Sequence, residues 1–406
     1  MAEVRLRDHR GFVRFWAADA VSLLGTYVTA LALQALAIED LGASGTEVGV
    51  LGAARWLPYL LFGLVAGVLV DRYRRRPVLV GADFARAAVL GLIPLLAVLG
   101  LLTVPLLVAL VAVFGALSLV YDAAHQSFLP RLVPRSLLTE ANARLGQAGA
   151  VAQAVGPVVG GWLVKAVGAP VAILLDAVSY LVSGLVLATL RVTERVAPAP
   201  SRHLGRELRE GLAWLYRHRT LAPLAINSHV WFLFNSVAVT VFPYLVLADL
   251  GFDTFALGTA YALSGVGAVL GASLSGPAAR RFGAGRVVVV ERWLTPLAYL
   301  PLPWAGGDAR GLVLLCGAQF LFGLAIGLSG PVELAYRQFV TPDRLLGRTS
   351  ATMRSLNRGA IVLGAPLGGV LIDVFGSQVA VWVAVAGLAG QAVSITCSPV
   401  RAARLE

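Results

Sequence analysis

GPVVGGWLVKAVG at residues 156–168 and GAPLGGVLIDVFG at residues 364–376 are one phrase written twice. Gly160, Gly161 and Gly168 fall on Gly368, Gly369 and Gly376 at a constant offset of 208 residues, and Pro134, Leu137 and Leu138 fall on Pro342, Leu345 and Leu346 at the same offset. A second register, one residue longer, places Gly67, Arg72, Tyr73 and Val78 on Gly276, Arg281, Phe282 and Val287. The chain is therefore two copies of a unit about half its length, and a repeat of that kind governs the fold before any local signal does.

Composition gives the repeat its setting. Hydrophobic residues make up 58% of the 406 and charged residues 14%, against about 25% charged in a soluble domain. Apolar runs near the ~20 residues that cross a bilayer recur throughout. They read as helices over 13–38, 46–70, 78–102, 104–127, 143–166 and 170–191, then 221–248, 256–278, 287–306, 311–336, 350–374 and 377–398. The expected fold is an all-α membrane protein of twelve transmembrane helices in two pseudo-symmetric six-helix bundles, residues 1–191 and 220–406. In a membrane chain, paired halves point to a path at their interface and alternating access by rocking.

The net charge of +11 is distributed unevenly. Arg72, Arg74, Arg75, Arg76, Arg131, Arg135, Arg280, Arg281, Arg344 and Arg348 sit in alternate loops, while the other loops carry chiefly Glu39, Asp40, Glu47, Asp249, Asp253 and Asp308. Positive loops stay in the cytoplasm, so both termini are expected inside, in the plasma (inner) membrane, with the lipid bilayer as the main partner. Arginines scattered over short turns do not form a nucleic-acid patch. The charged N-terminus and the long first apolar run lack the features of a cleaved signal peptide. Cys316 and Cys397 lie in apolar helices and read as single thiols.

One loop is long. Residues 192–219 open with VAPAPS and continue as RHLGRELREGLAWLYRHR, in which Leu204, Leu208, Leu212 and Leu215 recur at helical spacing. This reads as an amphipathic helix along the inner membrane face that tethers the two bundles.

Two motifs carry more than fold. After the second span comes Gly67-x-Leu69-x-Asp71-Arg72-x-x-Arg75-Arg76; in the fifth, Gly149, Gly156, Pro157, Gly160 and Gly161 form a smooth, kinked face for close helix contact. The first resembles motif A of the major facilitator superfamily, and the second resembles motif C of its exporting antiporters. ADFARAAVLGLIPL (82–95), LPRLVPRSLLTEANA (129–143), ILLDAVSYLVSG (173–184) and TPDRLLGR (341–348) resemble the drug–proton antiporter branch typified by macrolide-efflux and enterobactin-exporter-like proteins. The resemblance covers essentially the whole chain. It implies the major facilitator fold, a functional monomer, and proton-driven export of hydrophobic or amphiphilic small molecules without a cofactor. A dedicated exporter of an endogenous metabolite or siderophore, or a non-transporting receptor on the same fold, are the alternatives. There are departures: Arg74 occupies a place usually held by glycine, Arg280 stands opposite Asp71, and the fourth helix lacks the arginine of motif B. What the resemblance implies for Gly67, Asp71, Arg72 and Arg75, with Asp122, is a cytoplasmic gate in which Asp71, Arg75 and Asp122 cluster.

Ionisable residues inside spans are costly and are functional candidates by default. Proton coupling needs a carboxylate whose surroundings alternate between wet and dry. Asp19, flanked by alanines with no cation adjacent in sequence, is the first candidate, with a buried structural partner as its other reading. Glu333 is the second, unless Arg337 four residues on pairs with it, and Asp122 is the third. Asp83 and Arg86 stand at i, i+3 and read as a structural pair; Asp176 reads as a hydrogen-bonding or packing group. The seventh helix is polar and aromatic, and with the first it suggests a cavity for an organic ligand, with Tyr27, Asn227, His229, Trp231 and Asn235 as lining candidates. No phosphate-cradling loop, metal-ligand spacing or nucleophile constellation is present in the sequence, so an enzyme is not indicated.

Overall fold

The computed structural model describes residues 6–71, 73–192 and 204–404, without the side chains of residues 64, 67–69, 71 and 204–208. Among these, thirteen α-helices form: α1 (Arg10–Ala35), α2 (Gly45–Asp71), α3 (Arg75–Val98), α4 (Val104–Leu132), α5 (Leu138–Val167), α6 (Ala169–Thr189), α7 (Leu204–Arg217), α8 (Leu221–Tyr244), α9 (Thr254–Phe282), α10 (Ala284–Tyr299), α11 (Ala309–Val340), α12 (Asp343–Phe375) and α13 (Ser377–Thr396). The small amphipathic α7 separates two sets of six. Ten helices are long and apolar enough to cross a membrane; α2, with 27 residues, and α10, with only 16, fill the remaining two places.

Helix ends differ from the apolar runs in a systematic way. α5 and α12 begin at Leu138 and Asp343, and α4 and α11 continue to Leu132 and Val340, each several residues beyond the apolar stretch. A helix needs no apolar pattern once it emerges into water, so the pattern marks the span and not the helix. α10 errs the other way: it stops at Tyr299, ahead of Pro301 and Pro303, which lack the N–H a continuing helix requires.

The repeat extends to individual contacts. α5 packs on α1 and α9, and its counterpart α12 packs on α8 and α2. A Cβ added to Gly156 would lie 2.5 Å from Tyr27 Cβ, and one on Gly364 would lie 2.2 Å from the Leu233 carbonyl oxygen. On the other side of the same helices, a Cβ on Gly161 would meet the Thr254 carbonyl at 2.3 Å, and one on Gly369 the Gly45 carbonyl at 2.2 Å. The duplicated glycines thus let each helix touch its own set and the opposite set together. α1 and α8 also end alike, each in one wide turn (Leu36–Asp40 and Leu245–Asp249) whose closing N–H, of Leu41 or Leu250, reaches back five residues.

The described stretches nearest the two ends of the chain (Leu6–Asp8 and Pro399–Ala402) lie at the same face as α7, here the terminal face; the opposite one is the far face. The far face is closed where the two sets meet. Lys165 at the end of α5 reaches Asp253, the N-cap of α9, at 2.6 Å. At the equivalent junction, Asp373 of α12 accepts the backbone N–H groups of Gly45 and Thr46 at 2.7 and 2.8 Å. A carboxylate on the first N–H groups of a helix suits the helix dipole. α7, expected to lie along the membrane, docks on protein over its described residues: Leu215 is buried, Glu210 accepts from Arg348 at 2.6 Å, and Gly211 abuts Arg348. The VAPAPS segment lies outside the described residues.

Candidate functional site

Between the two sets, toward the terminal face, lie two adjoining cavities of about 660 and 370 Å³. Both are lined by Tyr59, Asp122 and Arg358. The smaller is lined by Asp19, Ser22 and Thr26 of α1, Arg55 and Trp56 of α2, Arg86 of α3, Tyr121 and His125 of α4, and Tyr180 of α6. The larger adds Gln126 and Ser127 of α4 and Arg354 and Ser355 of α12.

Asp19 is buried, and His125 Nε2 stands 3.0 Å from its Oδ1. The contact is close but not aligned as a hydrogen bond, since His125 Nε2 lacks a hydrogen-bond partner by angle. The imidazole is held between Phe15 and Tyr121, with ring centroids 5.2 and 5.6 Å away. Arg86 continues this stack, its guanidinium 3.8 Å from the Tyr121 ring centroid and 4.3 Å from that of Tyr180. Asp83 pairs with Arg86 and also accepts from Ser183 at 2.8 Å. A buried guanidinium is tolerable here because a carboxylate meets its edge and aromatic faces cover its planes. The i, i+3 reading of Asp83 and Arg86 therefore holds, and Asp176, which accepts from Thr29 and Ser179 at 2.6 and 2.8 Å, is a hydrogen-bonded packing group.

Asp122 accepts from the Tyr59 hydroxyl at 2.6 Å. Of the expected cluster with Asp71 and Arg75, the Arg75 guanidinium also donates to Ser127 Oγ at 3.4 Å and to the Tyr73 carbonyl at 3.1 Å. Gly67 and Asp71 belong to α2, but their side chains, and Arg72 altogether, lie outside the described residues. Glu333 does not pair with Arg337. It accepts from Arg292 at 2.9 Å, and Arg292 also meets Glu291 at 2.8 Å; Arg337 donates to Met353 Sδ at 2.8 Å. Spacing along one helix suggested the partner, whereas the packing of α10 on α11 supplies a closer one.

The proposed lining residues mostly face elsewhere. Tyr27 packs against Gly156. Asn227 donates back to the Pro223 carbonyl at 2.8 Å, and Trp231 is buried beside Phe322 and Arg292. His229 joins Tyr216 of α7 at 2.7 Å to Asn357 of α12 at 2.6 Å, and Asn235 accepts from Tyr299 at 3.4 Å. None of the five lines either of the two cavities. Polar and aromatic side chains on a helix mark a face that avoids lipid, and here that face packs on protein. Of the glycine motif, Gly156, Gly160, Gly161 and the Pro157 carbonyl form tight contacts, while a Cβ on Gly149 would meet open space. Sequence reasoning missed His125, Trp56 and Tyr59. A signal existed for His125, which follows Asp122 by one helical turn; nothing in the sequence links it to Asp19.

At the far face and outside the spans, Asp253 feels opposing effects. Burial pushes its carboxyl up, but the Lys165 ammonium and the Ala256 amide together outweigh it and hold it below the ordinary carboxylate value.

The Major Facilitator Superfamily model matches residues 15–353 and 224–397. The chain is 22% identical to macrolide efflux protein A of Streptococcus pyogenes, over 95% of each chain. It is 28% identical to the multidrug efflux pump Tap of Mycolicibacterium fortuitum, over 87% of each. Among solved structures, the nucleoside transporter NupG matches with a TM-score of 0.77 at 12% identity, covering 95% of this chain and 98% of the other. A bacterial homologue of the iron transporter ferroportin, in its inward-facing state, matches at 0.75 and 14% identity, covering 95% and 98%. At these identities the solved structures speak for the fold alone.

Proposed function

The chain belongs to the Major Facilitator Superfamily, a family of membrane transporters and not of enzymes, and from that premise we propose that it is a secondary active exporter of hydrophobic or amphiphilic small molecules driven by inward proton movement. The observation that carries the coupling is the Asp19–His125 pair at the wall of the cavity between the two sets. A carboxylate and an imidazole in contact, reached from one face only, form a group that can hold a proton in one state and release it in another. The two efflux-named relatives favour the outward direction.

On this reading residues 1–191 and 220–406 rock against each other, with 192–219 as the tether. The arginine-rich loops support a cytoplasmic terminal face, and on that orientation the state described is open inward. Asp19 gives up its proton to the cytoplasm as substrate enters, and is reprotonated once the far face has opened. Glu333, enclosed with Glu291 around Arg292, is assigned a structural part. Asp122 is assigned to closure of the cytoplasmic gate.

The test is internal pH in everted vesicles carrying the protein and an imposed proton gradient, challenged with a panel of amphiphiles. Compound-triggered proton release that vanishes in Asp19→Asn and is strongly reduced in His125→Asn, while compound still binds both variants, is the expected result. Release that survives Asp19→Asn removes Asp19 from coupling. No release with any compound, alongside efflux of a metabolite made by the same cell, would favour a dedicated exporter.

A further inference from the structure

The shared cavity holds two cations that form no ion pair among the described residues. Arg55 comes from α2 and Arg358 from α12, so they belong to opposite halves of the molecule. Both lie against one ring: the Arg358 guanidinium is 3.7 Å from the Trp56 centroid and that of Arg55 is 5.6 Å from it, with Tyr59 6.0 Å from Arg358. Among the described residues, neither side chain donates a hydrogen bond or forms an ion pair; the Asp122 carboxylate lies near enough to Arg358 to act on it electrostatically without meeting it.

Each side chain is half-buried. Arginine cannot shed its proton to escape that setting, and a guanidinium stacked on a ring keeps its planar edge of N–H donors unspent. The backbone that carries Arg55 is held in place, because Gly115 of α4 lies so close that an added Cβ would sit 2.4 Å from the Arg55 carbonyl oxygen.

The other charges facing this space are already engaged. Asp19 of α1 contacts His125 of α4, Asp122 of α4 accepts from Tyr59, and Arg86 of α3 is paired with Asp83. Arg354 of α12 adds a further positive charge to the wall of the larger cavity. What remains unsatisfied is cationic, and it is placed beside an indole.

We propose that the cavity binds an anionic amphiphile, an aromatic or flat apolar body bearing a carboxylate, sulfonate or phosphate, with Arg358 and Arg55 taking the anion and Trp56 the apolar face. This rests on the exporter reading and names the charge of its substrate. The planar edge of a guanidinium matches two oxygens of such a group. The apolar part then lies along Trp56 and Tyr59, at the junction of the two sets, where rocking would carry it from one face toward the other. A lipophilic cation would meet Arg55, Arg354 and Arg358 with like charge.

The test uses the full chain in proteoliposomes and three probes of one shape: naphthoate, naphthamide and naphthylmethylammonium. Binding is read by calorimetry, and transport and proton movement are read separately. Naphthoate is expected to bind more tightly than the other two. Arg358→Gln and Arg55→Gln should each weaken naphthoate by about tenfold or more, as loss of a charge-assisted contact implies, and leave naphthamide nearly unchanged. Arg358→Lys, which keeps the charge and loses the planar fork, should fall between.

Equal binding of naphthamide and naphthoate, tighter binding of the cation, or unchanged naphthoate binding in both glutamine variants would each overturn the assignment. So would failure of all three probes to bind protein that is folded by circular dichroism. Arginine-dependent naphthoate binding with no transport or proton movement would leave the anion assignment standing and remove the exporter reading. Proton-coupled efflux of the cation alone would do the reverse.

Discussion

Arg292 shows how one residue can hold a region together. Its side chain is 5% exposed, and it lies between Glu291, 1% exposed, and Glu333, 13% exposed. Its guanidinium also stands over Trp231, 5.6 Å from the ring centroid. Removing the shared cation leaves two carboxylates facing each other in a dry interior, and breaking a buried pair in this way costs about 3–5 kcal/mol. Arg292→Met is therefore expected to lower the thermal unfolding midpoint in detergent far more than Arg337→Met, whose guanidinium, among the described residues, hydrogen-bonds only to the Met353 thioether. Similar midpoints for the two variants would refute the structural assignment of the triad. This case also marks the limit of reading single residues from sequence. Glu333 and Arg337 stand at the spacing of a helical ion pair, yet a residue on the neighbouring helix takes the carboxylate. Asp83 and Arg86 do pair as their spacing says. Local spacing supplies the possible partners, and packing between helices chooses among them.

At the scale of elements, the far-face seams rest on two unequal supports, glycine contacts and charge. A Cβ on Gly369 or Gly161 would stand 2.2 or 2.3 Å from a backbone carbonyl of the opposite set, and backbone cannot yield as a flexible side chain does. Overpacking of this kind costs about 1–3 kcal/mol. The Lys165–Asp253 pair is exposed, 58% and 45% by side chain, and such pairs contribute about 0–1 kcal/mol and weaken with salt. The glycine effect should dominate. With Cys316 and Cys397 replaced by serine and spin labels at Val167 and Phe255, Gly369→Ala and Gly161→Ala should lengthen the far-face distance clearly, and Lys165→Ala only slightly. The ordering would be wrong if Lys165→Ala opened the face as far as the glycine variants. The pair's share depends on pH in a definite direction. The Asp253 carboxyl is held below its ordinary value, so its contribution is fully present above that ordinary value and is lost as pH falls through the lowered one. At neutral pH it is constant. The glycines at these seams were readable from the repeated phrase, because only a duplicated constraint keeps them at one offset. Lys165 and Asp373 stood in the same two phrases, but their targets at the N-termini of α9 and α2 are far away in sequence and could not be read.

At the scale of the whole molecule, the proposed alternating access requires that closure of one face accompany opening of the other, and the charges at the open face indicate what could close it. The larger cavity carries Asp122 on one wall, from the first set, and Arg354 and Arg358 on the other, from the second. In the state described Asp122 is exposed and held by Tyr59. Rocking the sets together at the terminal face brings that carboxylate toward the two guanidiniums while water leaves the gap, which strengthens their attraction. We propose that α12 of the opposite set adds to the expected cytoplasmic latch, with Arg354 and Arg358 as partners of Asp122 in the closed state beside Asp71 and Arg75. The two turns that report on this motion are repeat mates, Arg135–Leu137 ahead of α5 and the chain around Asp343 at the start of α12. Spin labels at Ser136 and Arg344 should give a long distance for the state described and a shorter one for the closed terminal face. Asp122→Asn should deplete the short component, by about 1 kcal/mol or a several-fold change in the population ratio, the upper range for a pair formed near water. Arg354→Gln should deplete it in the same sense, and combining the two should add little, because each removes the same attraction. An unchanged or enlarged short component in Asp122→Asn would mean that the terminal face closes by apolar contact alone. Full additivity in the double variant would mean that Asp122 and Arg354 act on closure through separate partners.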